Sequence, residues 1–362
     1  NKVMSMNSYK NIIVVGGNAA GPAAAAKAKR NSPDSNVILF ETGNFISTGT
    51  CELPYVLSGE IKDWKQIVFY TPETFENEKG VKVFNNHLVE FIDRKYKTIL
   101  VKNLISNHKL EYVYDKLILC TGSTAKKITT LPSNLTNVFQ LKSVADIIKI
   151  KEYLNNNVSS ALIIGAGYIG LETADALSSI GIHTTIFDKE NLPMYGIEDE
   201  TCNLVYDILK KNKIDFYGNV KDPVFYYEDN KFKSVNIDGW RKEFDITIIC
   251  IGHEPNVSLA VSAKLELGET GAIKVNKLLQ TSDPNIYAAG DCIEVSNHIT
   301  NKPTYLPLAT FAHQFGHIAG ENSVGGFANA PKIVRNIAVK LFDKNLVVVG
   351  MCKEGLKKRG IQ

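Results

Sequence analysis

Cysteine is scarce in this 362-residue chain, and none of its six cysteines falls in a C-x-x-C pair. Scattered thiols without paired spacing argue against a secreted disulfide framework and fit a reducing cytoplasm. A signal peptide and any long apolar span are also missing, so a soluble protein with no membrane partner is expected. Neither sign of charge dominates: 41 Lys and Arg face 38 Asp and Glu, for a formal charge of +3. Lysines and acids are interspersed, and no basic stripe with interleaved aromatics occurs, so a nucleic-acid partner is not expected. Low-complexity tracts are absent. What remains is a chain that is 44% hydrophobic and long enough to bury two or more cores.

Two glycine-rich stretches stand out, VVGGNAAG at residues 14–21 and IIGAGYIG at residues 163–170. In such a run a hydrophobic strand ends, a glycine permits the tight turn, and the next helix points its N-terminal amides at a pyrophosphate. In the second stretch residues 161–164 read as the strand, Gly165, Gly167 and Gly170 hold the three glycine positions, and helix is expected from Leu171. A further strand at 184–187 ends in Asp188, at the spacing where a carboxylate hydrogen-bonds an adenosine ribose. That carboxylate would repel a 2′-phosphate and no arginine stands beside it, so NADH is expected over NADPH, with Lys189 as the countervailing charge. The first stretch has Gly16 and Gly21 but Asn18 in the middle position, and its partner strand at 37–40 ends in Glu41. The helix that follows, PAAAAKAKR, has proline in its first turn and packs with alanine, as a close strand–helix contact requires.

Three more segments extend the pattern. Residues 281–295 read as a strand running into Gly290-Asp291, and residues 114–123 and 244–256 are apolar strands that each end at a glycine turn. Together with the two fingerprints, these runs resemble the FAD- and NAD(P)H-dependent pyridine nucleotide-disulfide oxidoreductases, over residues 11–326. The resemblance implies that Asp291, with Gly290, holds the flavin's ribityl chain. It assigns Gly16, Gly17, Asn18, Ala20, Gly21 and Glu41 to the ADP half of FAD, with Thr121, Gly122, Pro307, Leu308 and Ala309 completing the flavin site. NAD would fall to Gly165, Gly167, Tyr168, Ile169, Gly170, Asp188 and Gly252.

Within that family the surroundings of Cys51 narrow the choice. A second cysteine five positions on would make an internal disulfide, but Val56 stands there, and the absence of C-x-x-C disfavours a thioredoxin-reductase type. The stretch STGTCELPY resembles the single-cysteine branch: coenzyme A-disulfide reductases, NADH oxidases and peroxidases, and persulfide reductases. The resemblance implies that electrons pass from NADH through flavin to an oxidised Cys51, either a mixed disulfide or a sulfenic acid, and that the thiolate attacks the next substrate. The helix expected to start at Pro54, and the flavin, would acidify that thiol. Outside such a context Cys51 would read as a small buried hydrophobe. Cys120 and Cys250 at the ends of apolar strands, Cys202 in a helical pattern and Cys292 directly after Asp291 read as structural.

The acceptor is the open point. Arg30 and Lys79 fall where coenzyme A-disulfide reductases carry basic residues for the coenzyme A nucleotide, and Ser47 stands four before the cysteine; two cations suit a phosphate-rich substrate. Thr50 departs from the asparagine of those reductases, and Asn18 and Ala19 stand where NADH peroxidases place a histidine. The reading is therefore a reductase of a small disulfide, persulfide or polysulfide. The alternatives are an oxidase or peroxidase reducing oxygen or peroxide, a flavoprotein carrier to a protein acceptor such as rubredoxin, and a nucleotide-sensing module. His313 and His317, four apart on one helical face, lack a third ligand in the sequence, so no metal is expected.

The expected architecture is α/β: two Rossmann-like nucleotide-binding domains, with the NAD(P)H domain at 118–251 inserted into an FAD domain at 1–117 and 252–325. Residues 307–326 resemble the helix that packs against the flavin ring. Residues 331–355 resemble the first strands of the family's α+β C-terminal interface domain, which makes the homodimer. Residues 326–362 are thus read as the incomplete beginning of that domain, with about two thirds of it absent from the sequence, either cut away or dispensed with, so a homodimer is expected only if the remainder exists. Asn1 as first residue leaves room for a segment upstream.

Overall fold

A computed structural model describes residues 11–237, 239–357 and 360. In chain order the helices are α1 (Ala20–Asn31), α2 (Leu53–Ser58), α3 (Pro72–Lys79), α4 (Val144–Leu154), α5 (Tyr168–Ser179), α6 (Asp199–Lys211), α7 (Ser258–Ser262), α8 (Ala309–Ser323) and α9 (Lys353–Lys357). Strands of the two large sheets and of a late hairpin are β1 (Asn11–Val15), β2 (Asn36–Phe40), β3 (Lys82–Phe84), β4 (Lys116–Leu119), β5 (Val138–Gln140), β6 (Ser160–Ile164), β7 (His183–Phe187), β8 (Asp215–Tyr217), β9 (Ile246–Ile249), β10 (Ile286–Ala288), β11 (Asn336–Leu341) and β12 (Lys344–Val349).

The chain divides into two compact units. The first takes the described residues up to Gly49 together with Val68–Thr124 and Glu254–Ile333; the second takes Thr50–Ile67, Ala125–His253 and the residues from Val334 onward. These limits are drawn differently from the expected domains at 1–117, 118–251 and 252–325. Thr50–Ile67 and the hairpin β11–β12 both fall in the second unit, because α2 and β11 each pack on α5.

Each unit contains a five-stranded parallel sheet, in the order β10-β4-β1-β2-β3 in the first and β5-β9-β6-β7-β8 in the second. Sequences such as NIIVV and SALII suit central parallel strands, which are covered on both faces and so carry unbroken apolar runs. In register, Val15 lies between Phe40 and Leu119, and Ile164 lies between Phe187 and Ile249. Each unit also holds a three-stranded antiparallel sheet, at His87–Val113 in the first and Val224–Glu243 in the second. The first core gathers Ile12, Leu39, Ile118 and Phe315, and the second contains Leu162, Phe187, Phe232 and Phe244.

Several elements differ from the sequence reading. Helix begins at Tyr168 rather than Leu171, because Gly167 in extended backbone already serves as its N-cap. Within the apolar run at 281–295 strand forms over Ile286–Ala288, and a separate two-residue strand opens at Val295; α8 is shorter at both ends than 307–326. The start expected at Pro54 is right to a residue: α2 opens at Leu53, with Pro54 in its first turn.

Candidate functional site

Both glycine fingerprints are folded into the same turn. Gly16 donates its N–H to Phe40 O at 2.8 Å, and Gly165 donates to Phe187 O at 2.7 Å. Both have φ near +108°, a left-handed value that excludes most side chains. A Cβ at Gly16 would stand 2.0 Å from Cys120 O, and one at Gly165 would stand 2.3 Å from Cys250 O. Further on, Gly21 and Gly170 bring the helix against the turn: a Cβ there would meet Gly16 O at 1.7 Å and Gly165 O at 1.9 Å.

Helix N-termini follow directly. Neither α1, capped by Ala19, nor α5, capped by Gly167, has a side-chain cap or an acidic residue in its first turn. By contrast α3 and α4 have complete capping boxes built on Thr71 and Ser143. First-turn amides without a side-chain partner and the positive end of the helix dipole suit a pyrophosphate. The N-terminus of α8, preceded by Pro307 and Leu308, likewise has no side-chain cap.

Acidic residues stand at matching places. Glu41 accepts from the N–H of Gly17 at 2.5 Å and of Gly43 at 2.6 Å; Asp188 accepts from Ala166 at 2.5 Å and Glu190 at 2.8 Å. Each carboxylate is thereby fixed at the end of the strand that follows its fingerprint helix, β2 or β7, where ribose hydroxyls are bound in this type of fold. Asp291 accepts from Ser123 Oγ at 3.0 Å, and Thr121 Oγ1 donates to Asn256 O at 2.7 Å, while Asn256 N–H donates to Gly122 O at 2.9 Å. The turn at Thr121-Gly122 and the Gly290-Asp291 pair are thus drawn into one region of the first unit. The uncapped helices, the cradles that a Cβ would fill and the ribose-position acids fit two dinucleotides, FAD in the first unit and a pyridine nucleotide in the second.

Cys51 lies in the helical turn Thr50–Glu52 that leads into α2, and it is exposed. The other thiols differ. Cys120, Cys202 and Cys292 are buried, and burial pushes all three upward, while Cys250 is pushed up to about 12 for the same reason. A thiol held protonated is a poor nucleophile, which leaves those four to packing. Cys352, half-buried beyond β12, drew no reading from the sequence.

Ser47, Arg30 and Lys79 all belong to the first unit. Ser47 has φ +50° and donates its N–H to Gly17 O at 2.8 Å, so the strand before Cys51 is tied to the first fingerprint. Arg30 is exposed in the last turn of α1. Lys79, in the last turn of α3, lies 5.3 Å from the Tyr70 ring and 3.5 Å from Glu78, and its ammonium is held upward by Tyr70. Lys29 Cε would touch a Cβ on Gly80 at 3.1 Å, so the ends of α1 and α3 meet and Arg30 and Lys79 flank that meeting point. His313 and His317 have ring centroids 4.6 Å apart, and among the described residues no group of three metal-binding side chains converges. Gly252 has φ +93° and accepts from Lys126 N–H at 3.0 Å.

Sequence reasoning missed the role of Asn18. Its Oδ1 accepts from Thr48 N–H at 3.2 Å and Thr48 Oγ1 at 2.9 Å, which explains why the middle position can lack glycine. It also missed a carboxyl cluster on α5, whose only signal was a pair of acids, Glu172 and Asp175, three residues apart in a helix with no basic residue.

The fold and these sites define a two-dinucleotide oxidoreductase, and the sequence profile of the pyridine nucleotide-disulphide oxidoreductase family matches residues 10–316. The chain belongs to that family, which uses FAD and a pyridine nucleotide. It is 29% identical over 360 residues to an NAD(P)H coenzyme A polysulfide/persulfide reductase of Pyrococcus horikoshii, covering 99% of this chain and 79% of that protein. It is 32% identical over 349 residues to a coenzyme A disulfide reductase of Staphylococcus aureus, covering 96% of this chain and 78% of the relative. Among solved structures, an NAD-dependent persulfide reductase from A. fulgidus superposes with TM-score 0.93 at 30% identity, over 97% of this chain and 65% of that one. Reduced CoADR-RHD of Bacillus anthracis gives 0.92 at 31%, over 98% and 64%. The chain thus spans less than two thirds of those two structures. A water-forming NADH oxidase from Lactobacillus brevis gives 0.91 at 26%, over 97% of this chain and 78% of that one. No described helix is long and apolar enough to cross a membrane.

Proposed function

We propose that this protein reduces a small disulfide, persulfide or polysulfide, most naturally one carrying coenzyme A, with electrons from NADH. The observation that carries this reading is the exposure of Cys51, at the head of α2, among cysteines that are otherwise at least partly buried. Relatives named for coenzyme A disulfide and for persulfide reduction support it.

Bound FAD supplies two-electron chemistry, accepting hydride equivalents from the pyridine nucleotide and delivering an electron pair to sulfur. The first-turn amides of α1 and the Glu41 carboxylate would hold its ADP portion, and Asp291 its ribityl chain. Cys51 Sγ, as a thiolate, attacks one sulfur of the substrate disulfide; a Cys51–S–S–R bond forms, the substrate S–S bond breaks, and one thiolate leaves. Arg30 and Lys79, flanking the meeting of α1 and α3, would hold the phosphates of the nucleotide-bearing half, and Ser47 would orient the segment next to Cys51. On the pyridine nucleotide, Asp188 is fixed by two backbone N–H groups and disfavours a 2′-phosphate. Lys189 points the other way in charge, but lies 3.6 Å from Glu190, which offsets it. NADH is therefore preferred.

Anaerobic turnover of coenzyme A disulfide and of a persulfide with NADH, in wild type and Cys51→Ser, tests the proposal. Both reactions are expected to collapse in the variant. Unchanged rates would remove Cys51 from the chemistry and favour a flavin that gives electrons directly to a protein acceptor. NADH loss with oxygen alone that outpaces every disulfide would favour the oxidase reading.

A further inference from the structure

In the second unit α2 and α5 meet along a shallow cleft lined by Pro54, Tyr55 and Ser58, by Glu60 just beyond them, by Glu172, Asp175 and Ala176, and by Lys340 of β11. Its charges are unevenly matched. Lys340 Nζ is engaged by Glu60 at 3.2 Å and lies 5.9 Å from the Tyr55 ring. Asp175 accepts the Phe342 N–H at 2.7 Å. Among the described residues no cation pairs with Glu172, although it faces Asp175 on its own helix. The strands β6 and β7 behind α5 present apolar and hydroxyl side chains to it; their one titratable group, His183, is turned to Asp215 at 3.1 Å.

On the other wall, α2 is six residues long and held by packing rather than by its own turns. Leu53, Pro54, Val56 and Leu57 are buried, and Lys151 of α4 donates to Val56 O at 3.2 Å. The turn bearing Cys51 runs into α2 without a break. A movement of α2 off α5 therefore moves the Cys51 backbone with it.

We propose that Glu172 is a positioning residue for Cys51: neutral, its carboxyl lets α2 close on α5, and its ionisation beside Asp175 and Glu60 loosens that seam and changes the reactivity of the thiol. The proposal rests on the reading of Cys51 as the redox thiol, but it concerns the seam rather than the electrons. Burial, and then the Asp175 charge, push Glu172 up to about 7. A carboxyl whose folded value lies above its unfolded one stabilises the closed seam fully at acid pH. That contribution is lost as pH rises through about 7. Tyr55, raised by burial and by the same carboxylates, stays neutral across this window and does not confuse it.

The test is the pH dependence of Cys51 alkylation by iodoacetamide, followed by mass spectrometry, together with amide hydrogen exchange of residues 53–58. In wild type the alkylation rate, divided by the thiolate fraction, is expected to step up about fivefold as the seam opens. Exchange in α2 should accelerate over the same interval. Glu172→Gln is expected to abolish both steps. Asp175→Asn removes a neighbouring charge, keeps the acceptor for Phe342 N–H, and is expected to move both steps to lower pH. Superimposable profiles for wild type and both variants would overturn the proposal. Loss of the steps in Glu172→Gln with turnover still independent of Cys51 would instead keep the seam and sink the redox reading.

Discussion

The two fingerprint turns are built on one plan, and of their three glycine positions only the middle one differs. The Gly16 and Gly165 turns share their φ, their hydrogen bond to the end of the neighbouring strand, and a carbonyl lid from Cys120 or Cys250. In the first, Asn18 fills the middle position and reaches Thr48; in the second, Gly167 leaves open space, with nothing within 4 Å of a would-be Cβ. A strict glycine is thus demanded where backbone meets backbone, at Gly16, Gly21, Gly165 and Gly170. The middle position answers to what lies beside it, and in the first unit that neighbour is the strand preceding Cys51.

Adding one methyl to each close contact should separate the two sites most strongly. Gly21→Ala would force Cβ into Gly16 O and is expected to yield protein with little bound flavin, read from the visible absorbance per chain. Gly170→Ala makes the equivalent clash in the second unit and should retain flavin while weakening NADH binding by about tenfold or more. Loss of flavin in both, or in neither, would mean that the turns are not independent sites. A smaller effect is expected from Asp188→Ala, which removes one charge-assisted hydrogen-bond acceptor: kcat/KM for NADH should fall about tenfold while that for NADPH holds or rises. The smallest concerns the point of divergence. Asn18→Gly should restore the full glycine pattern, release Thr48 and cost about 1 kcal/mol of stability, seen as a modest fall in Tm with flavin retained. A wholesale loss of flavin in that variant would show that Asn18 touches the cofactor rather than the strand.

Much of this was legible in the chain because parallel sheets write themselves plainly: unbroken apolar runs, a glycine turn, then an alanine-rich helix. The spacing that put Glu41 and Asp188 opposite their fingerprints is a consequence of one helix and one strand of standard length. Less was readable at 281–295, where hydrophobic sequence serves a bend rather than an extended strand, since burial alone does not distinguish the two. Nor did sequence reveal that α2 packs with α5, which joins Thr50–Ile67 to the second unit, because such a contact spans more than 100 residues. The Glu172 cleft was hidden for the same reason: its members come from α2, α5 and β11, and only folding makes their charges neighbours.

The most direct test of the account counts electrons. Protein pretreated with coenzyme A disulfide and freed of excess reagent is titrated anaerobically with NADH, following the flavin spectrum, in wild type and Cys51→Ser. About four electrons per flavin in wild type and about two in the variant are predicted, since the sulfur adds one two-electron centre to the flavin's own. The same count of about two in both proteins would contradict the assignment of Cys51 as the redox partner of the flavin.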